Sequence, residues 1–151
     1  MNDLRKRIAE LRSYCAHADA INTHVSAVNV SWHIQHSLLV LHKSIQALLL
    51  SKPEMYKPEF NLPRFILFYL KWFPRGKGKA SERVQPKSTE NIDYDVLFEK
   101  AEQKLQRLEE ALPNQCMPHP VFGILNTKQT ITMLSLHTLH HIRIIKDILK
   151  H

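Results

Sequence analysis

Apolar residues recur along this chain with the alternating four-and-three spacing of amphipathic helices. Leu4, Ile8, Leu11, Cys15 and Ala18 form one stripe, which predicts a first helix from an Asn2 cap to about Ala18. Ile34, Leu38, Leu41, Ile45 and Leu48 repeat the pattern and predict a second helix over roughly 28–50. Phe98, Ala101, Leu105, Leu108 and Leu112 mark a third, over about 93–112. The fourth begins near Asn126, where Asn126 and Gln129 have the spacing of a capping box, and runs almost to His151. Four such helices with coiled-coil-like seams predict an all-α fold, a four-helix bundle, in a single domain spanning 1–151.

The connection between the second and third helices, residues 52–92, is too long for a simple bundle loop. Phe65 to Phe73 is apolar except for Lys71 and predicts an inserted short helix bounded by Pro63 and Pro74. The run is too short to span a bilayer. A basic loop follows, Pro74-Arg75-Gly76-Lys77-Gly78-Lys79.

The 151 residues suffice for a substantial core, so any metal here is expected to serve function rather than to staple the fold. Hydrophobic residues at 44% and charged residues at 23% describe a soluble globular chain. Cys15 and Cys116 form no CxxC pair, which sets aside a disulfide framework and a thiolate zinc site. The opening Met1-Asn2-Asp3-Leu4-Arg5-Lys6-Arg7 has no apolar leader region, so a cytoplasmic location is expected. The net charge of +7 permits an anionic partner without identifying one. Base-stacking modules interleave aromatic and basic residues on a surface. Here the aromatics precede the basic loop as a block, which reads as core packing. Neither nucleic acid nor membrane is therefore expected as a partner; a small-molecule substrate is, and a homodimer is a further possibility.

Ten histidines are the compositional outlier. His137 and His141 sit four apart in the fourth helix, about 40° apart around its axis. They share the apolar face of Thr130, Met133, Leu134, Ile144 and Ile148. Burying two imidazoles there requires partners for their nitrogens, and one metal ion would serve both. His140 lies toward the edge of that face. In the second helix, His33 and His36 share a flank with Ser37, Val40, Ser44 and Ala47, small enough to admit another helix or a cavity. Two histidines from one helix and one from another make a facial three-nitrogen site with positions left for water or substrate. Spacing alone also fits hydrogen-bonded core histidines. His119, in His119-Pro120-Val121-Phe122-Gly123, reads as a turn residue near the site mouth.

Three runs occur in order: Ser31-Trp32-His33-Ile34-Gln35-His36, His119 to Gly123, and His137-Thr138-Leu139-His140-His141. Together they resemble the DinB/YfiT-like superfamily of metal-binding four-helix bundles, and more narrowly one of its uncharacterised families. The resemblance extends over nearly the whole chain. It implies a divalent metal ion, whether zinc, nickel, iron or manganese, held by His36, His137 and His141, with His33 as alternate for the first position. Characterised relatives include S-transferases and isomerases that use low-molecular-weight thiols. The chain departs from a frequent pattern in one place: where relatives carry Arg-Gly-Gln after the second histidine, it reads Ile142-Arg143-Ile144-Ile145. A role carried by that glutamine does not transfer.

These readings converge on a metal-dependent transferase or hydrolase that activates a water or a small thiol. His33 or His140 is the expected proton acceptor, because carboxylates are scarce near the histidines. Arg75, Lys77 and Lys79 are candidates to recruit an anionic thiol cofactor or carboxylate substrate, although such a run also reads as a solvated loop. A non-catalytic bundle that binds metal or ligand is the alternative. No Ser-His-Asp arrangement, phosphate-binding loop or dinucleotide fingerprint is evident.

Overall fold

A computed structural model describes residues 1–75 and 81–150. The chain is mostly helical, with helices α1 (Asn2–Ser13), α2 (Val30–Leu50), α3 (Leu62–Leu70), α4 (Tyr94–Glu109) and α5 (Thr127–Ile148). The expectation of a strictly all-α chain needs correction. A two-stranded antiparallel hairpin, β1 (Cys116–His119) and β2 (Gly123–Asn126), precedes α5. Its register pairs Cys116 with Asn126 and His119 with Gly123. The strands are too short to show alternation in sequence, but Met117 and Leu125 pair across them and are both buried.

The helix boundaries follow from their caps. Asn126 Oδ1 accepts from Gln129 N at 2.9 Å and Gln129 Oε1 accepts from Asn126 N at 3.0 Å, the capping box expected from sequence. α2 starts two residues later than its apolar stripe suggests, because Asn29 Oδ1 accepts from Trp32 N at 3.0 Å. The inserted helix lies three residues earlier than expected. Asn61 caps it through Arg64 N at 2.8 Å, and Pro63 sits inside the first turn, where a missing N–H costs nothing. α1 ends at Ser13 instead of Ala18, with Asn2 inside the helix and no side-chain cap. Beyond it the carbonyls of Ala18 and Ala20 accept from Ser31 N and Val30 N at 2.8 and 3.0 Å. The segment leaves the helix to satisfy the exposed donors at the start of α2. α4 ends at Glu109, so Leu112 falls off the seam and is exposed.

One contiguous apolar cluster joins α1, α2, α4, α5 and the hairpin. α5 packs along α1 and α2, and α2 also packs against α4. Leu4, Leu11, Ile34, Leu41, Leu105 and Ile142 are among its wholly buried members. α3 is pinned to the hairpin by its buried Arg64, which donates to the carbonyls of Phe122 at 2.9 Å, Ile124 at 3.3 Å and Glu59. Among the described residues, no helix is long and apolar enough to cross a membrane.

The apolar block expected to pack in the core does so only in part. Leu67, Phe68 and Phe73 face inward. Phe65, Ile66, Tyr69, Leu70 and Trp72 are exposed. Arg64 shares the inward side of the short helix with Leu67 and Phe68, and the remaining apolar residues of the helix face outward.

Candidate metal centre

The packing of α2 against α5 brings four histidines face to face. His33 and His36 come from the first two turns of α2, and His137 and His141 from the middle of α5. His36, His137 and His141 each offer one ring nitrogen, and these nitrogens all lie within 4.8 Å of one another. The three residues are close enough to hold one metal ion. His33 and His36 are each 4% exposed and His141 6%, so none of these rings is bathed in water.

Hydrogen bonds orient each ring, and for His36 they settle which nitrogen it presents. His36 Nδ1 lies 2.8 Å from the Val84 carbonyl, so it carries the proton and leaves Nε2 as a lone pair. Val84 belongs to a 3-10 helical turn, Glu82–Val84, inside the long connection. The connection therefore supplies the group that orients a candidate ligand. Trp32 stacks on the His36 ring at 4.7 Å and 14° and closes its other face.

His141 is oriented by a longer chain. Its Nδ1 lies 3.0 Å from Nδ1 of His33, and Nε2 of His33 lies 3.0 Å from Oγ of Ser26. That Oγ also accepts from Val28 N at 3.2 Å. With one proton per neutral ring the chain runs in either sense: His141 Nδ1–H donates to His33 and His33 Nε2–H to Ser26, or the Ser26 hydroxyl donates to His33 and His33 Nδ1–H to His141. The first sense leaves His141 Nε2 as a lone pair facing His137 and is the one a bound ion would select.

Nε2 of His137 and Nε2 of His141 lie 3.3 Å apart. Two nitrogens bound tetrahedrally at 2.0–2.1 Å would be separated by roughly 3.3–3.4 Å, so this pair fits a zinc-like ion without rearrangement. It also fits one shared proton. Nδ1 of His137 is enclosed and has no hydrogen-bond partner. An ion held by Nε2 of His36, His137 and His141 would leave that Nδ1 an N–H donor still without a partner, so the orphaned atom lies outside the coordination, and the convergence of the three rings is what fits a divalent ion.

Burial keeps these rings uncharged. It pushes His33 down to about 4, with the neighbouring charges of His36, His140 and Arg75 acting in the same direction. His36 is lowered by burial, opposed by its bond to Val84. Burial takes His137 and His141 well below the ordinary histidine value, and the neighbouring histidines add to it. Neutral imidazole is the form that binds a metal.

The remaining expected residues fall as follows. His140 stands beside the cluster, 5.1 Å ring to ring from His141, with a hydrogen bond to the Phe73 backbone. Burial lowers it to about 4. Arg75 is ion-paired with Asp147 at 2.7 Å. Lys77 and Lys79 lie outside the described residues. His119 ends β1, stacks on Phe122 at 4.4 Å, and accepts from Val121 N and Phe122 N at 3.2 Å. It holds the hairpin turn and is not among the three clustered histidines. Sequence reasoning missed Ser26 and the Val84 carbonyl. A backbone acceptor carries no side-chain signal, and Ser26 lies outside any helix pattern. Trp32 was in view as part of a motif, without a role.

No protein-family model, no curated protein and no solved structure matches the chain.

Proposed function

We propose that this chain is a metal-dependent enzyme of the DinB/YfiT-like kind, with α1, α2, α4 and α5 as its four-helix bundle. His36, His137 and His141 are the ligands, and the reaction is thiol transfer or hydrolysis of a small molecule. One observation carries the reading: three neutral imidazoles from two helices, His36 and His141 buried and His137 half-buried, converge within reach of one ion. When bound, a divalent ion supplies uncompensated positive charge that generates a nucleophile from water or thiol near neutral pH. Imidazole donors suit zinc, nickel and iron, with manganese a less favoured fit. His33 has both nitrogens engaged and acts as the prop of His141. His140, beside the cluster but outside it, is then the better proton acceptor. Cys15 and Cys116 are both free thiols, in keeping with a cytoplasmic setting.

A second reading, a non-catalytic metal site, has one observation in its favour. His33, His36 and His141 are nearly wholly buried, and of the four site histidines His137 alone is part-exposed. A largely closed site binds an ion while leaving little way in for a substrate.

The test uses untagged protein. Zinc, nickel, iron and manganese are titrated into the metal-free form while thermal stability and transfer of small thiols to an electrophile are followed. Saturable binding with metal-dependent turnover supports the enzyme. Binding without turnover over a broad thiol and ester panel supports the closed site. Absence of binding at neutral pH removes both.

A further inference from the structure

The outward face of α3 is apolar throughout. Leu62, Phe65, Ile66, Tyr69 and Leu70 occupy an arc of about 140° around the helix axis, and each is between 42% and 79% exposed. Phe60 at 78% and Trp72 at 49% extend the patch beyond both ends of the helix. The opposite arc, Arg64, Leu67 and Phe68, holds the helix to the hairpin and core. The face is thus a fixed surface, not a frayed segment. Soluble monomers rarely leave a contiguous apolar patch of this size bare.

We propose that this face is an interface with a second copy of the same chain, formed by α3 packing antiparallel on its counterpart across a two-fold axis. The inference is independent of the metal reading. Two features select this occupant. The apolar positions are spaced three and four apart about Phe65 and Ile66, so a two-fold axis there sets Tyr69 against the partner's Leu62. Such a patch is complementary to itself, and antiparallel packing opposes the two helix dipoles. Second, the area suffices. The exposed parts of the four aromatics offer on the order of 500 Å². Leu62, Ile66 and Leu70 carry the total toward the roughly 800 Å² per partner of a stable interface.

The experiment is sedimentation of the full chain at micromolar concentration, with far-UV circular dichroism as the fold control. The wild type is expected at twice the 17.7 kDa chain mass. Tyr69→Glu, on a solvent-facing position, is expected to weaken association by about 30-fold or more with an unchanged spectrum. Leu62→Glu, at the position set against Tyr69 across the axis, is expected to weaken it to a similar degree. A wild-type chain that stays monomeric overturns the proposal, and its sedimentation with phosphatidylserine vesicles would assign the face to lipid instead. A dimer indifferent to Tyr69→Glu places the contact elsewhere. A dimer weakened by Tyr69→Glu but indifferent to Leu62→Glu rules out the antiparallel arrangement.

Discussion

His36 Nδ1 is committed to Val84, and His141 Nδ1 to His33, which leaves His137 with the enclosed nitrogen that no protein group meets. A buried polar atom without a partner costs about 1–3 kcal/mol. His137→Leu removes that atom and fills the space with carbon. The variant is expected to leave metal-free stability unchanged or raise it by about 1 kcal/mol, while abolishing metal-induced stabilisation. Parallel melts with and without zinc read both effects, and a variant that destabilises the metal-free protein by several kcal/mol would show that His137 is an ordinary core residue. His33 makes the complementary case. It bonds His141 at Nδ1 and so supports the form of that ring that would offer Nε2 to an ion, and loss of such a prop typically lowers metal affinity ~10–100-fold. His33→Ala is expected to weaken zinc binding by that factor with all three ligands intact. Titration followed by Trp32 fluorescence measures it, since Trp32 stacks directly on His36. Undiminished affinity would break the proposed chain from Ser26 to His141.

At the scale of elements, the sequence was informative wherever a helix spans several turns and its cap is a local side chain. The stripes of α2 and α5 are buried as read, that of α4 is buried except for Leu112, and Asn126 with Gln129 forms its box. It failed where a distant group decides. α1 stops early because the Ala18 and Ala20 carbonyls are needed by α2. α3 keeps Arg64 on its inward side, beside Leu67 and Phe68, because three hairpin and loop carbonyls claim it. The hairpin was invisible for a related reason. Four-residue strands show no period, and their turn depends on Gly123 at φ +69°. A Cβ there would collide with the Glu59 carboxylate, which also accepts from Ile124 N at 3.3 Å. Gly123→Ala is therefore expected to cost about 1–3 kcal/mol, from the left-handed backbone and the clash together. Glu59→Ala in that background should recover the steric part and leave the backbone part. A denaturant double-mutant cycle separates them, and additivity between the two positions would show that they do not touch. The three clustered histidines were legible for the opposite reason. An i,i+4 pair on the apolar face of a long helix is set by the helix itself, and α2 lies against α5 because both carry long seams.

For the molecule as a whole, the histidines act together on acid stability. Burial lowers His33, His119 and His140 to about 4 and depresses His36, His137 and His141 as well. In the unfolded chain each returns to about 6.5. Between these values the unfolded state binds more protons than the folded one, so stability rises with pH across that interval. The stability of the metal-free protein is therefore complete above about pH 6.5 and is lost as the pH falls from 6.5 toward 4. Each ring adds up to about 1.4 kcal/mol per pH unit, so three acting together give roughly 4 kcal/mol per unit. Domains of this size hold only about 5–15 kcal/mol in total. The chain's +7 charge works in the same direction, since every added proton increases self-repulsion. Thermal melts of metal-free protein at steps from pH 7.5 to 4.5 are expected to show a falling midpoint, steepest below about pH 6. A midpoint flat down to pH 5 would mean that the rings are not held neutral. Bound zinc should steepen the dependence, because the ion favours unprotonated rings in the folded state and is released as they gain protons.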